Sequence, residues 1–130
     1  MNKEFVTYDI ALSMKELGFD EPCMAWYNYN GEVLFKFKKP HTDDINLTNA
    51  PLYQQAFRWF KKKYGLCSWI ERMYTADSIC YYRYTCEYKK DPSSKTHEVI
   101  VSIKEYNTYE EAELACLKKL IEILNQNKDE

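Results

Sequence analysis

Glycine, histidine and recognisable reaction motifs are all scarce in this chain of 130 residues. Its three glycines, Gly18, Gly31 and Gly65, stand alone. A phosphate-cradling loop needs clustered glycines so that backbone N–H groups can crowd an anion, and none exists here. No G-x-S-x-G elbow occurs either. The histidines are His41 and His97. His41-x-Asp43-Asp44 has a metal-like look, but a metal needs three or four converging ligands and no second cluster offers them. It reads as a solvated loop. Five cysteines are present, at 23, 67, 80, 86 and 116, with no C-x-x-C spacing. The odd count and the spacing argue against a disulfide framework and a zinc ribbon. Each lies among apolar residues, so reduced and mostly buried thiols are expected. A Cys–His nucleophile pair would need a base aimed at an activated thiol, and nothing in the spacing indicates one. No apolar run approaches the roughly 20 residues that span a bilayer, and residues 1–5 lack a signal-peptide core. The expectation is a soluble cytoplasmic protein without membrane contact, catalysis, metal or cofactor.

What the chain has in abundance is aromatic side chains: twelve Tyr, six Phe and three Trp. The densest stretch is Ile79-Cys80-Tyr81-Tyr82-Arg83-Tyr84-Thr85-Cys86-Glu87-Tyr88. A strand alternates its side chains, so this run must show Tyr on both faces of a sheet. One face can enter a core, and the other must meet water, a ligand or another chain. With 45% hydrophobic and 29% charged residues the composition is globular. The length fits one α+β domain over 1–130, with a frayed polar tail at about 125–130. A net charge of −2 gives no general support for duplex nucleic acid, which is held by clustered Lys and Arg.

Along the chain, Thr7 is placed to cap a first helix carrying Ile10, Ala11, Met14 and Leu17, with Gly18 ending it. Asn30-Gly31 predicts a two-residue type I′ hairpin. That register pairs Tyr27 with Leu34, Trp26 with Phe35 and Met24 with Phe37. It puts Met24, Trp26, Val33, Phe35 and Phe37 on one face. After the polar loop around Pro40, Thr48 or Asn49 is placed to cap a second helix, with Pro51 in its first turn and Gly65 at its end. Strands are predicted at 67–74, 78–88 and 98–106, with a turn at Asp91-Pro92-Ser93-Ser94. Thr108-Tyr109-Glu110-Glu111 is a capping box opening a last helix, whose inner face holds Ala112, Ala115, Cys116, Leu120 and Ile123. The order is α-β-β-α-β-β-β-α, an antiparallel sheet with helices packed on one face.

Three phrases bear on origin. They are Leu17-Gly18-Phe19-Asp20-Glu21-Pro22-Cys23, Ala50-Pro51-Leu52-Tyr53-Gln54-Gln55-Ala56-Phe57-Arg58-Trp59-Phe60, and Thr108-Tyr109-Glu110-Glu111-Ala112-Glu113 leading into Leu117-Lys118-Lys119-Leu120-Ile121. Together they resemble a family of small uncharacterised proteins encoded by phages and prophages of gut bacteria. The resemblance implies a mobile-element setting in the cytoplasm of a host cell, and accessory roles such as host modulation or defence evasion. It brings no catalytic residues. Residues 51–126 also have the α-β-β-β-α order of double-stranded-RNA-binding domains, which place Lys at the start of the last helix. Here Glu110, Glu111 and Glu113 stand there and repel phosphate, so nucleic acid is disfavoured as a partner.

Tyr and Arg anchor interfaces and also stack on bases and pair with phosphate. Tyr81 and Arg83 share one face of the predicted sheet; Tyr82, Tyr84 and Tyr88 share the other. Arg72 lies on a neighbouring strand. These five (Tyr81, Tyr82, Arg83, Tyr84 and Arg72) are the leading candidates for contact with a host protein or a small anionic, nucleotide-like ligand. Arg58 and Lys62, in the basic run of the second helix, are the second choice and the basis of an alternative nucleic-acid reading. An aromatic face or open sheet edge also fits a homodimer.

Overall fold

The computed structural model describes residues 4–35, 47–90, 93 and 95–128. The fold is α+β, in the order α1 (Tyr8–Glu16), β1 (Ala25–Tyr27), β2 (Val33–Phe35), β3 (Thr48–Asn49), α2 (Tyr53–Tyr64), β4 (Cys67–Tyr74), β5 (Cys80–Tyr88), β6 (Glu98–Val101) and α3 (Tyr109–Lys128). The strands form two antiparallel sheets of three, β2-β1-β3 and β4-β5-β6. The chain divides into two compact units, Met1–Ala56 and Phe57–Glu130.

In the first unit α1 buries Ile10, Ala11 and Met14. Thr7 precedes it in an extended conformation, but its side chain makes no capping hydrogen bond. The other end follows the glycine rule. Phe19 N–H donates to Met14 O at 2.9 Å and Gly18 N–H to Lys15 O at 3.0 Å, with Gly18 at φ 98°. This Schellman pair satisfies carbonyls that the helix would otherwise strand. Phe5, Ala25 and Ala50 form a small core that Tyr27, Val33, Phe35 and Leu52 complete.

The hairpin differs from expectation by one residue. Tyr27 pairs with Val33, Trp26 with Leu34 and Ala25 with Phe35. A type I′ turn needs positive φ at both central residues, yet only Gly31, at φ 79°, has it. Asn28 decides the matter. Its Oδ1 accepts from the N–H groups of Asn30 and Glu32 at 2.9 and 3.0 Å, and its carbonyl accepts from Gly31 N–H at 3.0 Å. The result is a three-residue loop over 29–31, with glycine in the left-handed position. A one-residue slip moves side chains to the other face. Ala25, Tyr27, Val33 and Phe35 therefore share the buried side, Trp26 turns away from it, and Met24 is exposed. Phe37 lies outside the described residues. Thr48 and Asn49 pair with β1 instead of capping a helix. Pro51 disfavours helical backbone at Ala50, so the extended run persists to the proline. α2 then starts at Tyr53, with Leu52 O accepting from Ala56 N–H at 2.9 Å.

In the second unit β5 is the central strand. β4 follows the predicted range, and β5 starts two residues later than predicted, at Cys80. β6 is shorter than predicted because Ser102 takes over the ladder. Its N–H donates to Tyr84 O at 2.9 Å and its hydroxyl accepts from Tyr84 N–H at 3.1 Å. Residues 103–105 then loop out before Tyr106 bridges Tyr82. The Asp91-Pro92 turn falls outside the described residues. α3 opens as its capping box predicts, with Glu111 N–H donating to Thr108 Oγ1 at 3.1 Å. It runs to Lys128, so helix extends into the segment expected to fray. Ala112, Cys116, Leu117, Leu120 and Ile123 are buried on its inner face, whereas Ala115 is half-buried. α3 packs on β4 and β5 and covers one side of their sheet.

Candidate functional site

The register of β4 and β5 sorts the aromatic strand into its two faces. Residues directly opposite one another in a ladder point the same way. Ser68, Ile70, Arg72 and Tyr74 face Cys86, Tyr84, Tyr82 and Cys80. This is the side that α3 covers, since Cys86 Sγ lies 3.8 Å from Cys116 Sγ of the helix. Tyr84 is buried there. Desolvation, reinforced by neighbours led by Tyr106, pushes its hydroxyl up to about 12. Tyr82 is half-buried, its ring edge-on to Tyr109 with centroids 5.9 Å apart. A hydrogen bond with Cys80 raises the Tyr82 hydroxyl above its usual range. Arg72 is exposed, its guanidinium 5.7 Å from the Tyr74 ring centre.

The opposite face carries Cys67, Trp69, Glu71 and Met73 beside Glu87, Thr85, Arg83 and Tyr81, with Val99 and Val101 of β6 next to Glu87 and Thr85. At its centre Glu71 accepts three hydrogen bonds. Trp69 Nε1–H donates to Oε1 at 3.0 Å, Thr85 Oγ1 to Oε1 at 3.2 Å, and Arg83 Nη2 to Oε2 at 3.1 Å. The Trp69 donor first, and then Arg83, hold the Glu71 carboxyl below the usual carboxylate range. Thr85 is buried beneath this network, and Arg83 Nε is buried with no hydrogen-bond partner. The indole of Trp69 is thus fixed by its N–H while 43% of the residue stays exposed. Val101 (43%) and Val99 (57%) extend the apolar surface on the same side.

This face continues into a cleft of about 390 Å³ lined by Tyr64, Gly65, Cys67, Glu87, Lys89 and His97. His97 Nδ1 lies 3.0 Å from Glu87 Oε1. All five cysteines are free thiols: Cys23, Cys86 and Cys116 are buried, Cys67 is half-buried in the cleft, and Cys80 is exposed.

The sequence candidates therefore separate. Tyr81 and Arg83 lie on the face opposite α3, whereas Tyr82, Tyr84 and Arg72 lie on the α3 side. Arg58 and Lys62 are exposed on α2, as is Lys61. Lys63 stands over the rings of Trp59 and Tyr64 at 5.2 and 5.5 Å from their centres. Trp69 and Glu71, which organise the face opposite α3, were not among the sequence candidates, and neither were His97 and Cys67. The His41-x-Asp43-Asp44 string lies outside the described residues. Among the described residues no group of three or more His, Cys, Asp or Glu is placed to hold a metal ion, and no helix is long and apolar enough to cross a membrane. No protein-family model matches the chain, and no curated protein and no solved structure shows significant similarity to it.

Proposed function

We propose that this chain is a non-enzymatic binding protein whose contact surface is the Trp69 face of the β4-β5-β6 sheet. Its partner is a protein and, in the mobile-element setting implied by the sequence resemblance, a host protein. The observation that carries this reading is the state of Trp69: an indole locked by its N–H to Glu71, 43% exposed, beside the exposed Val99 and Val101. A pre-ordered aromatic loses little side-chain entropy on binding. Trp and Arg are also the residues most enriched among interface anchors. A small anionic ligand is a weaker fit to this face. The Arg83 guanidinium already serves Glu71, and Arg72 points to the other side. The homodimer belongs to the same reading, with a second copy as the protein partner.

The test compares three forms of the chain as bait against host lysate and against itself. They are the wild type, Trp69→Glu, and Arg58→Glu combined with Lys62→Glu. The expected result is a protein captured by the wild type and the helix variant and lost, by at least about tenfold in affinity, with Trp69→Glu. Capture that survives Trp69→Glu but disappears with the helix variant, or bound nucleic acid that dissociates steeply with added salt, would transfer the function to α2.

A further inference from the structure

The cleft beside Cys67, at the end of the Trp69 face, is a second place where chemistry converges. We propose that Cys67 is a thiol-modification site that exchanges with a small disulfide carrying carboxylates, of the glutathione class, and that the adduct occupies the cleft.

Three features point there. First, Cys67 sits directly opposite Glu87 in the β4–β5 ladder, and Glu87 Oε1 lies 3.0 Å from His97 Nδ1. With Nδ1 donating to that carboxylate, Nε2 is the nitrogen left to take a proton. A thiol, an imidazole and an orienting carboxylate thus line one cleft. Second, Lys89 lines the same cleft, and its ammonium supplies a counter-charge for a carboxylate on the incoming molecule. Third, there is space. The volume of about 390 Å³ suits a molecule of tripeptide size. No heavy atom lies within 4 Å of where a Cβ on Gly65 would stand. The other thiols lack this combination: Cys23, Cys86 and Cys116 are buried, and Cys80 is exposed outside the cleft.

The step balances without an added oxidant. The Cys67 thiol yields its proton to the imidazole or to solvent. The thiolate attacks one sulfur of the small disulfide. A Cys67–sulfur bond forms as the reagent's own S–S bond breaks, and the departing thiolate takes up a proton. One disulfide is consumed and one is made.

The experiment is a time course of the folded protein with oxidised glutathione at neutral pH, followed by intact mass and peptide mapping. Cys80, the more exposed thiol, is the internal comparator. Cys67 is expected to be modified about tenfold faster than Cys80. Lys89→Gln should slow Cys67 with oxidised glutathione but not with the neutral hydroxyethyl disulfide. His97→Gln should slow it with both. Far-UV circular dichroism checks that each variant is folded. Modification of Cys80 ahead of Cys67, or a Cys67 rate indifferent to both substitutions, would overturn the assignment and leave Cys67 an ordinary surface thiol.

Discussion

At Glu71 one carboxylate serves an indole N–H, a guanidinium and a hydroxyl. Its depressed pKa gives a definite sign to the pH dependence of stability. A carboxyl held below its unfolded value contributes stability that is complete above the ordinary carboxylate range. That contribution is lost as pH falls through the depressed folded value. Glu71→Gln should therefore flatten the acid limb of a stability–pH profile, with its largest effect at neutral pH, as read by urea midpoints across the acid range. The two turn glycines give a second residue-level test. Gly31 has φ 79°, and a Cβ there would stand 2.9 Å from Tyr8 Cδ2. Gly65 has φ 69° with open space around it. Ala at Gly65 should cost about 1 kcal/mol, the left-handed penalty alone, whereas Ala at Gly31 should cost about 2 kcal/mol or more because the Tyr8 ring must also move. Denaturant unfolding of the two variants checks the order. Alternation alone sufficed to place Tyr81 and Arg83 on one side and Tyr82 and Tyr84 on the other. What it could not reveal was the role of Trp69 and Glu71. Trp69 bonds Glu71 two residues along its own strand, but the other partners of Glu71 lie across the ladder at Thr85 and Arg83, and only the register brings these to it.

Among the elements, α3 carries the deepest burial. Leu117 and Leu120 are both wholly buried. Leu120→Ala should destabilise the fold by about 3 kcal/mol, within the range for a truncated core leucine, as measured by urea denaturation. A cost well under about 1 kcal/mol would mean that the site collapses around the change. This helix was legible in the sequence because its apolar spacing and its capping box agree. The first hairpin was legible in kind but not in register. Asn30-Gly31 favours a two-residue loop, but Asn28, one position before Tyr29, binds two backbone N–H groups and imposes three. The β4–β5 turn repeats the device. Thr75 Oγ1 accepts from Ile79 N–H at 3.1 Å, Thr75 O accepts from Ser78 N–H at 2.9 Å, and Ser78 takes φ 64°. In both hairpins a polar side chain at the end of the first strand sets the loop length. That signal is weaker in a sequence than the glycine it overrides.

Across the whole molecule, the α+β class and the element order follow from periodicity and punctuation, apart from β3. Two residues are too few to leave a periodic trace; β3 forms by pairing with β1, and Pro51 disfavours helix only at Ala50, the residue after β3. The face opposite α3 follows from topology. α3 lies on one side of a sheet whose outer strands, β4 and β6, have no further strand beside them among the described residues. A sheet that keeps an exposed indole, two exposed valines and a half-buried ion-paired network on the side opposite α3 has the make-up of a contact surface. Side-chain footprinting of the wild-type chain, alone and with its captured protein, tests that claim most directly. Protection is expected at Trp69, Val99 and Val101, with Arg58, Lys61 and Lys62 unchanged. Protection confined to those basic residues of α2, with Trp69 as reactive as in the free chain, would contradict it.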